Sequence, residues 1–168
     1  RKLTFAYYGY ITELSGLSLF PPASGHYDLG TVVNSSAING CSSPIPYLLR
    51  GVGDVSGCSS IESTYRLHDK LWISEADLRT NVCTLEDDHK ETYNAKKSVS
   101  INRREFIYAL THRMGIWYYD MLGGWFDSPL FQEDFRVMNR VYERAVQLPI
   151  TYESEVAVFI DETVLDYH

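Results

Sequence analysis

Glu75 stands in the sequence context that most favours chemistry. It follows a short apolar run, Leu71 to Ile73, which predicts a buried strand ending close to Glu75. A carboxylate at the carboxyl end of a parallel strand lies where an α/β barrel keeps its catalytic groups. The alternative is a structural Glu that caps a helix or pairs with Arg79. For an isolated Glu the structural role would be preferred, so the rest of the chain has to decide.

Three further charged residues are candidates for the same site. Asp77 and Arg79 are two positions apart, on one side of an extended chain, and we predict that they pair and fix the loop after Glu75. An ordinary surface ion pair is an equally good interpretation. Asp120 is predicted either to bind a ligand hydroxyl or to cap the Gly-Gly turn that follows it. Residues 87–91 mimic a metal cluster, but a solvated run of charges is the commoner structure.

Aromatic residues fall near the ends of several predicted strands. The chain is 14% aromatic, with 13 Tyr and three Trp. Aromatic faces pack on the apolar faces of sugars, although the core is the commoner location of an aromatic side chain. The candidates for ligand contact are Tyr10, Trp117, Tyr119 and Trp125, the last of which follows two glycines in a loop.

The composition excludes several classes of protein. With 168 residues, 45% of them hydrophobic, the chain is long enough for a packed core and too apolar for disorder. A net charge of −7 without a basic run gives nucleic-acid binding no electrostatic support. No apolar stretch approaches the ~20 residues of a membrane span. The odd count of three cysteines, without a CxxC pair, argues against a complete disulfide set and a zinc ribbon. We therefore expect a soluble protein with no cofactor, metal, nucleic-acid or membrane partner.

The apolar pattern predicts strands that alternate with helices. Helix signals are clearest in the second half, where Asn102 and Glu105 form a capping box, Gly115 follows the helix, and Ser128 with Pro129 begins another. Helices are predicted at residues 26–35, 103–114 and 129–147, with a helical turn at 63–68, a solvated excursion at 85–97 and strands at 3–10, 37–42, 70–75, 116–121 and 155–160. The first four strands start roughly 30–45 residues apart, which is typical of right-handed βαβ units. The sequence therefore predicts an α/β fold with a parallel sheet.

Four stretches, in this order, carry a resemblance to a known family. They are Tyr8-Gly9-Tyr10, the segment from Ser43-Pro44 to Tyr47-Leu-Leu-Arg50, residues 70–80 (KLWISEADLRT) and residues 117–127 (WYYDMLGGWFD). Together they resemble the second half of a glycoside hydrolase (β/α)8 TIM barrel of the family 42 β-galactosidase type, or a near relative in the same clan. Residues 155–161 resemble the opening strand of the trimerisation domain that follows such barrels.

The resemblance implies a domain organisation. Residues 1–148 would be the C-terminal half of the catalytic barrel, with the first four predicted strands as barrel strands five to eight. Residues 149–168 would begin a following α/β, trimerisation-like domain, through which the protein would form a homo-oligomer. The chain begins directly in a strand-like segment and looks like a mature or excised piece, so its compartment, cytoplasmic or secreted, stays open.

The resemblance also implies roles for particular residues. In that clan the nucleophile is a Glu at the end of strand seven, which corresponds to Glu75. An aromatic residue at the end of strand eight lines the sugar subsite, which points to Trp117 or Tyr119. Tyr47, just after strand six, matches a tyrosine near the nucleophile. We expect Tyr47 or a cation to keep Glu75 ionised.

The second catalytic carboxylate is expected outside this chain. Retaining glycosidases use two carboxylates about 5–5.5 Å apart, and the clan's acid/base Glu follows an Asn at the end of strand four, for which this sequence has no counterpart. A full barrel needs about 250 residues. The expected function is a retaining, β-galactosidase-like hydrolase acting on a carbohydrate substrate, with this chain carrying the nucleophile half as a fragment or as an assembling half. The alternative is a non-catalytic carbohydrate-binding or interaction domain of degenerate barrel ancestry.

Overall fold

The described part of the chain is an α/β structure with four strands and four helices. The computed structural model describes residues 2–11, 25–48, 50–83, 94–149 and 154–161. In chain order the elements are β1 (Phe5–Tyr7), α1 (Leu29–Asn34), β2 (Gly40–Pro44), α2 (Glu62–Leu67), β3 (Leu71–Ala76), α3 (Ala95–Thr111), β4 (Gly115–Tyr118) and α4 (Pro129–Ala145).

The four strands form one parallel sheet in the order β1-β2-β3-β4. Each strand therefore lies beside the next strand of the sequence, and a segment containing a helix connects each pair. This confirms the predicted α/β class and the parallel pairing of all four strands. The register places Pro44 of β2 and Trp117 of β4 on either side of Glu75 in β3.

The helices pack on one face of the sheet. Cys41 and Trp72 point to this face and form a core with Val33 of α1, Tyr65 of α2 and Ala109 of α3. Helix α4 packs on α3 and reaches the same face, where the Tyr118 hydroxyl lies 3.7 Å from the sulfur of a methionine of α4. Side chains alternate between faces along a strand. The opposite face therefore carries the alternate residues, of which Phe5, Tyr7, Leu71 and Trp117 are exposed.

Helix α3 begins earlier than the sequence pattern predicted. Its N-cap is Asn94, whose side chain accepts a hydrogen bond from the Lys97 N–H. The predicted capping box at Asn102 is wrong, because Asn102 lies inside the helix and is 2% exposed. The predicted excursion at 85–97 is wrong for residues 95–97, which are helical. Gly115 does not follow the helix end either, since it opens β4 and Arg113 adopts the left-handed conformation after α3, with φ of 57°.

The remaining helices agree with their signals, whereas the last predicted strand does not form. Helix α4 begins at Pro129, and the Ser128 side chain accepts a hydrogen bond from the Leu130 N–H. Within residues 154–161 there is no strand, and Phe159 is 93% exposed. A β-rich run needs a partner strand to satisfy its backbone groups. Predictions for residues 12–24 and 84–93 lie outside the described residues. No helix in the described ranges is long and apolar enough to cross a membrane.

Candidate functional site at the carboxyl ends of the strands

Glu75 lies at the carboxyl end of β3, on the sheet face opposite the helices. Its neighbours in register are Pro44 and Trp117, so it lies between two other strands rather than at an edge. The residue is only 6% exposed. The position at a strand end is therefore as predicted, and the side chain is buried there. A buried carboxylate whose pKa is shifted by its surroundings is a candidate functional group.

Tyr7 holds the carboxylate of Glu75. The Tyr7 hydroxyl donates a hydrogen bond of 2.9 Å to Oε1 of Glu75 from β1, two strands away. The Tyr7 side chain passes over Ser42 of β2, and the small Ser42 side chain leaves room for it. The donor is therefore Tyr7 and not Tyr47, while the cation that the sequence analysis gave as the alternative is Arg50. Ionising Tyr7 would place two negative charges together; burial first, and then this hydrogen bond, raise the pKa of Tyr7.

The environment of Glu75 disfavours its charged form. Burial is the main cause and raises the pKa of Glu75. The hydrogen bond from Tyr7 and the positive charge of Arg50 act in the opposite direction, while the negative charge of Asp77 raises the pKa further. Glu75 therefore ionises at a higher pH than a solvated Glu. Tyr7 and Arg50 limit this rise in the pKa of Glu75.

Asp77 pairs with Arg50 and not with the predicted Arg79. Nη2 of Arg50 lies 2.7 Å from Oδ1 of Asp77 and also donates to the carbonyl of Ile45 at 2.9 Å. Nε of Arg50 donates to the carbonyl of Pro46 at 3.0 Å. Arg50 is 5% exposed, so this is a buried clamp between the segments that follow β2 and β3. The pairing of residues 77 and 79 was wrong because a long loop brings a distant arginine closer to Asp77.

Tyr10 and Tyr47 form a wall of the site rather than its open surface. Tyr10 is 3% exposed, and the side chains of Tyr10 and Tyr47 share a hydrogen bond. Tyr47 in turn packs against Arg50, whose guanidinium carbon lies 4.2 Å from the ring centroid. Burial is the main cause that raises the pKa of both tyrosines. Nδ1 of His26 accepts the backbone N–H groups of Gly9 and Tyr10 and so fixes the end of this segment.

Trp117 is the aromatic candidate with an accessible face. It is 40% exposed and lies next to Glu75 in register. Its indole N–H donates to the hydroxyl of Ser42 at 3.4 Å. Tyr119 packs edge-on against it, with ring centroids 5.3 Å apart. The two residues that the sequence proposed for the end of strand eight therefore lie together, and Trp117 is the one beside the carboxylate.

Trp125 and Asp120 belong to the turn and core beyond β4. Trp125 is 2% exposed and packs with Val99 and Phe131 between α3 and α4. Oδ2 of Asp120 accepts a hydrogen bond from the Trp125 backbone N–H at 3.0 Å, so Asp120 closes the turn, as in the structural alternative. Arg79 lies with its guanidinium carbon 5.8 Å from the Trp125 ring centroid. Trp125 packs edge-on against Tyr119, with ring centroids 6.4 Å apart, and Asp120 and Arg79 both contact Trp125.

The chemistry of the site rests on one carboxylate and its tyrosine. Among the described residues no group of three or more His, Cys, Asp or Glu could hold a metal ion. Sequence reasoning proposed Glu75 and Trp117 as candidates and did not name Tyr7 or Arg50, which contact or face Glu75 in the structure. The signal available for Tyr7 was the alternation of side chains along β1, which places Tyr7 on the same sheet face as Phe5. Comparison with family models, curated proteins and solved structures found no match to this chain.

Proposed function

We propose that the chain carries the nucleophile half of a retaining glycoside hydrolase site, with Glu75 as the nucleophile. The observation that supports this most directly is the position of Glu75, a buried carboxylate at the carboxyl end of an inner parallel strand and beside an exposed Trp. The four strands correspond in this proposal to strands five to eight of a (β/α)8 barrel, whose active sites lie at this end. The substrate class is an O-glycoside, as in the β-galactosidase-like enzymes that the sequence resembles.

The residues around Glu75 have separate tasks in this mechanism. Glu75 attacks the anomeric carbon and forms a glycosyl ester, which water then hydrolyses. Tyr7 orients Oε1 through its 2.9 Å hydrogen bond, so that the other oxygen can face the sugar. Trp117 offers an aromatic face beside the carboxylate for the apolar side of the ring. Attack requires ionised Glu75, so turnover is expected to rise with pH through the raised pKa of this residue.

The acid/base carboxylate does not come from the nearest acid in the sequence. Asp77 forms an ion pair with Arg50 at 2.7 Å, and this pairing disfavours a role for Asp77 as the acid/base. The proposal therefore places the acid/base group outside the described residues. The second candidate function, carbohydrate binding without catalysis, is favoured by the same exposed Trp117 and by the burial that keeps Glu75 protonated to higher pH.

Dinitrophenyl glycosides separate these two functions. Their leaving group departs without protonation, so turnover needs a nucleophile but no general acid. A panel of such glycosides should be hydrolysed by the wild-type protein, and Glu75→Gln should lower kcat by orders of magnitude while sugar binding persists. Glu133→Gln is the control, because Glu133 is an exposed carboxylate on α4. Two results would contradict the hydrolase function and favour carbohydrate binding without catalysis. One is that the wild type binds sugars without hydrolysing them, and the other is an equal kcat in wild type and Glu75→Gln.

A further inference from the structure

His26 accepts two backbone hydrogen bonds through one ring nitrogen. Its Nδ1 lies 2.9 Å from the backbone nitrogen of Gly9 and 3.2 Å from that of Tyr10. A backbone N–H can only donate, so Nδ1 offers its lone pair to both groups and carries no proton. The neutral tautomer with its hydrogen on Nε2 is therefore the form that these contacts require. Protonation of His26 would place a hydrogen on Nδ1 and make it a donor, so both bonds would be lost.

The two amides that His26 holds lie in the middle of the segment that follows β1. The Tyr8 N–H before them donates to a carbonyl of β2 at 3.1 Å, and the Ile11 N–H after them donates to a carbonyl of the loop before α2 at 2.9 Å. Gly9 and Tyr10 are both buried. A buried backbone N–H that loses its acceptor is costly. The state of the His26 ring therefore controls the conformation of Gly9 and Tyr10, whereas the bonds on either side do not titrate.

Tyrosine rings surround the imidazole of His26. The Tyr8 ring stacks on it with centroids 5.3 Å apart, and the Tyr10 ring meets it edge-on at 4.7 Å. Neither tyrosine changes charge between neutral pH and mild acid. The nearest charged residue in the sequence is Asp28, whose carboxylate accepts the Thr31 N–H at 3.3 Å and caps α1. Burial lowers the pKa of His26, so the neutral acceptor form is the one present at neutral pH.

The residue that His26 holds is also part of the wall of the Glu75 site. The side chains of Tyr10 and Tyr47 share a hydrogen bond, and together these two residues are the tyrosine wall. The guanidinium carbon of Arg50 lies 4.2 Å from the Tyr47 ring centroid. The positive charge of Arg50 in turn lowers the pKa of Glu75. A continuous series of contacts therefore leads from the backbone that His26 holds to the carboxylate of the site.

We propose that neutral His26 is a positioning residue for the tyrosine wall, and that its protonation in acid releases the wall from the site. One proton is enough, because it converts the acceptor of both amides into a donor. Since burial lowers the pKa of His26, the release belongs to a pH below the ordinary range of a histidine side chain. This inference does not depend on the hydrolase function, since it concerns the conformation of the site alone.

Amide hydrogen exchange, followed by NMR and corrected for the intrinsic effect of pH, tests the release. In the wild type the amides of Gly9 and Tyr10 should be protected at neutral pH and should lose about tenfold or more of their protection once His26 is protonated. The Tyr8 amide should keep its protection, because its acceptor is a carbonyl of β2.

Three variants separate the acceptor from the ring. His26→Asn places an amide oxygen near the position of Nδ1, so protection should persist at both pH values. His26→Leu has no acceptor, so protection should be low at both. His112→Leu is the matched control, because the His112 ring also stacks on a tyrosine, Tyr108, with centroids 4.0 Å apart. Its Nδ1 faces the carbonyl of Tyr108 at 2.8 Å and therefore donates. This control should behave as the wild type.

The NMR ring signals of Tyr10 and Tyr47 report on the wall itself. They should shift with the same midpoint as the His26 ring signals, both in the wild type and in Glu75→Gln, which removes the titration of Glu75. Ring signals that follow Glu75 instead, or protection that persists after His26 has titrated, would overturn the proposal. Full protection in His26→Leu would do the same. If circular dichroism shows that His26→Leu is unfolded, the wild type and His26→Asn decide, and an equal loss of protection in acid would refute the role of His26.

Discussion

Replacing Arg50 by Met should destabilise the protein more than the loss of an ordinary ion pair. Arg50 is 5% exposed, and its side chain contacts Asp77 at 2.7 Å and the carbonyls of Ile45 and Pro46 at 2.9 and 3.0 Å. Arg50→Met leaves Asp77 without its partner and removes the donors to two carbonyls. Removing one member of a buried pair costs about 3–5 kcal/mol. The Asp77 side chain is 16% exposed and keeps some hydration, so we expect the lower end, about 3 kcal/mol.

Urea unfolding at neutral pH measures this loss. Arg136→Met is the matched control, because Arg136 pairs with Glu133 on the surface of α4, where the two side chains are 65% and 59% exposed. That surface pair should contribute less than about 1 kcal/mol. The double variant Arg50→Met with Asp77→Asn should recover part of the loss, since it removes the stranded charge. A loss for Arg50→Met no larger than that for Arg136→Met would refute the buried clamp.

Two further predictions concern the pH dependence of Glu75. Burial raises its pKa, so its contribution to stability is fully present below the unfolded pKa and is lost as the pH rises through the folded pKa. Glu75→Gln should therefore raise the urea midpoint relative to wild type at pH values above the folded pKa, and this difference in midpoint should shrink in acid. An equal difference in midpoint at all pH values would show that the titration of Glu75 does not cause the pH dependence. Tyr7→Phe removes the hydrogen bond that favours the ionised carboxylate, at a cost of about 1 kcal/mol at neutral pH because Tyr7 is half exposed. It should move the acid limb of kcat/KM to higher pH, and an unchanged limb would mean that Tyr7 does not act on Glu75.

The strands could be predicted from the sequence because their signals are local. The apolar runs at residues 70–75 and 116–121 identify β3 and β4, and a parallel sheet follows from the spacing of such runs. Helix α3 shows the limit of local signals. Asn102 and Glu105 have the spacing of a capping box, but both are buried within the helix, where Asn102 supplies the carbonyl that accepts the Tyr118 hydroxyl. Tertiary packing therefore overrides the capping signal.

The partners within the site could not be predicted in the same way. Asp77 and Arg79 are near in sequence, but Asp77 pairs with Arg50, which is 27 residues away. Tyr7 reaches Glu75 across 68 residues of sequence because β1 and β3 flank a strand with a small residue between them. These contacts depend on register and on loop conformation, and neither is encoded in short motifs. By contrast, the position of Glu75 could be predicted because the apolar run from Leu71 to Ile73 indicates a strand that ends close to it, and the strand ends at Ala76.

The most direct test of the account is covalent trapping of the nucleophile. In a dinitrophenyl glycoside that carries fluorine on the carbon next to the anomeric centre, the fluorine slows both the formation and the hydrolysis of the glycosyl ester, because it disfavours the positive charge of both transition states. The dinitrophenyl leaving group speeds only the formation, so the ester accumulates. Peptide mass spectrometry of the wild-type protein, treated with a panel of such sugars, should locate the adduct on Glu75, and Glu75→Gln should carry none. An adduct on another residue, or no adduct with any sugar of the panel, would contradict the assignment of Glu75 as the nucleophile.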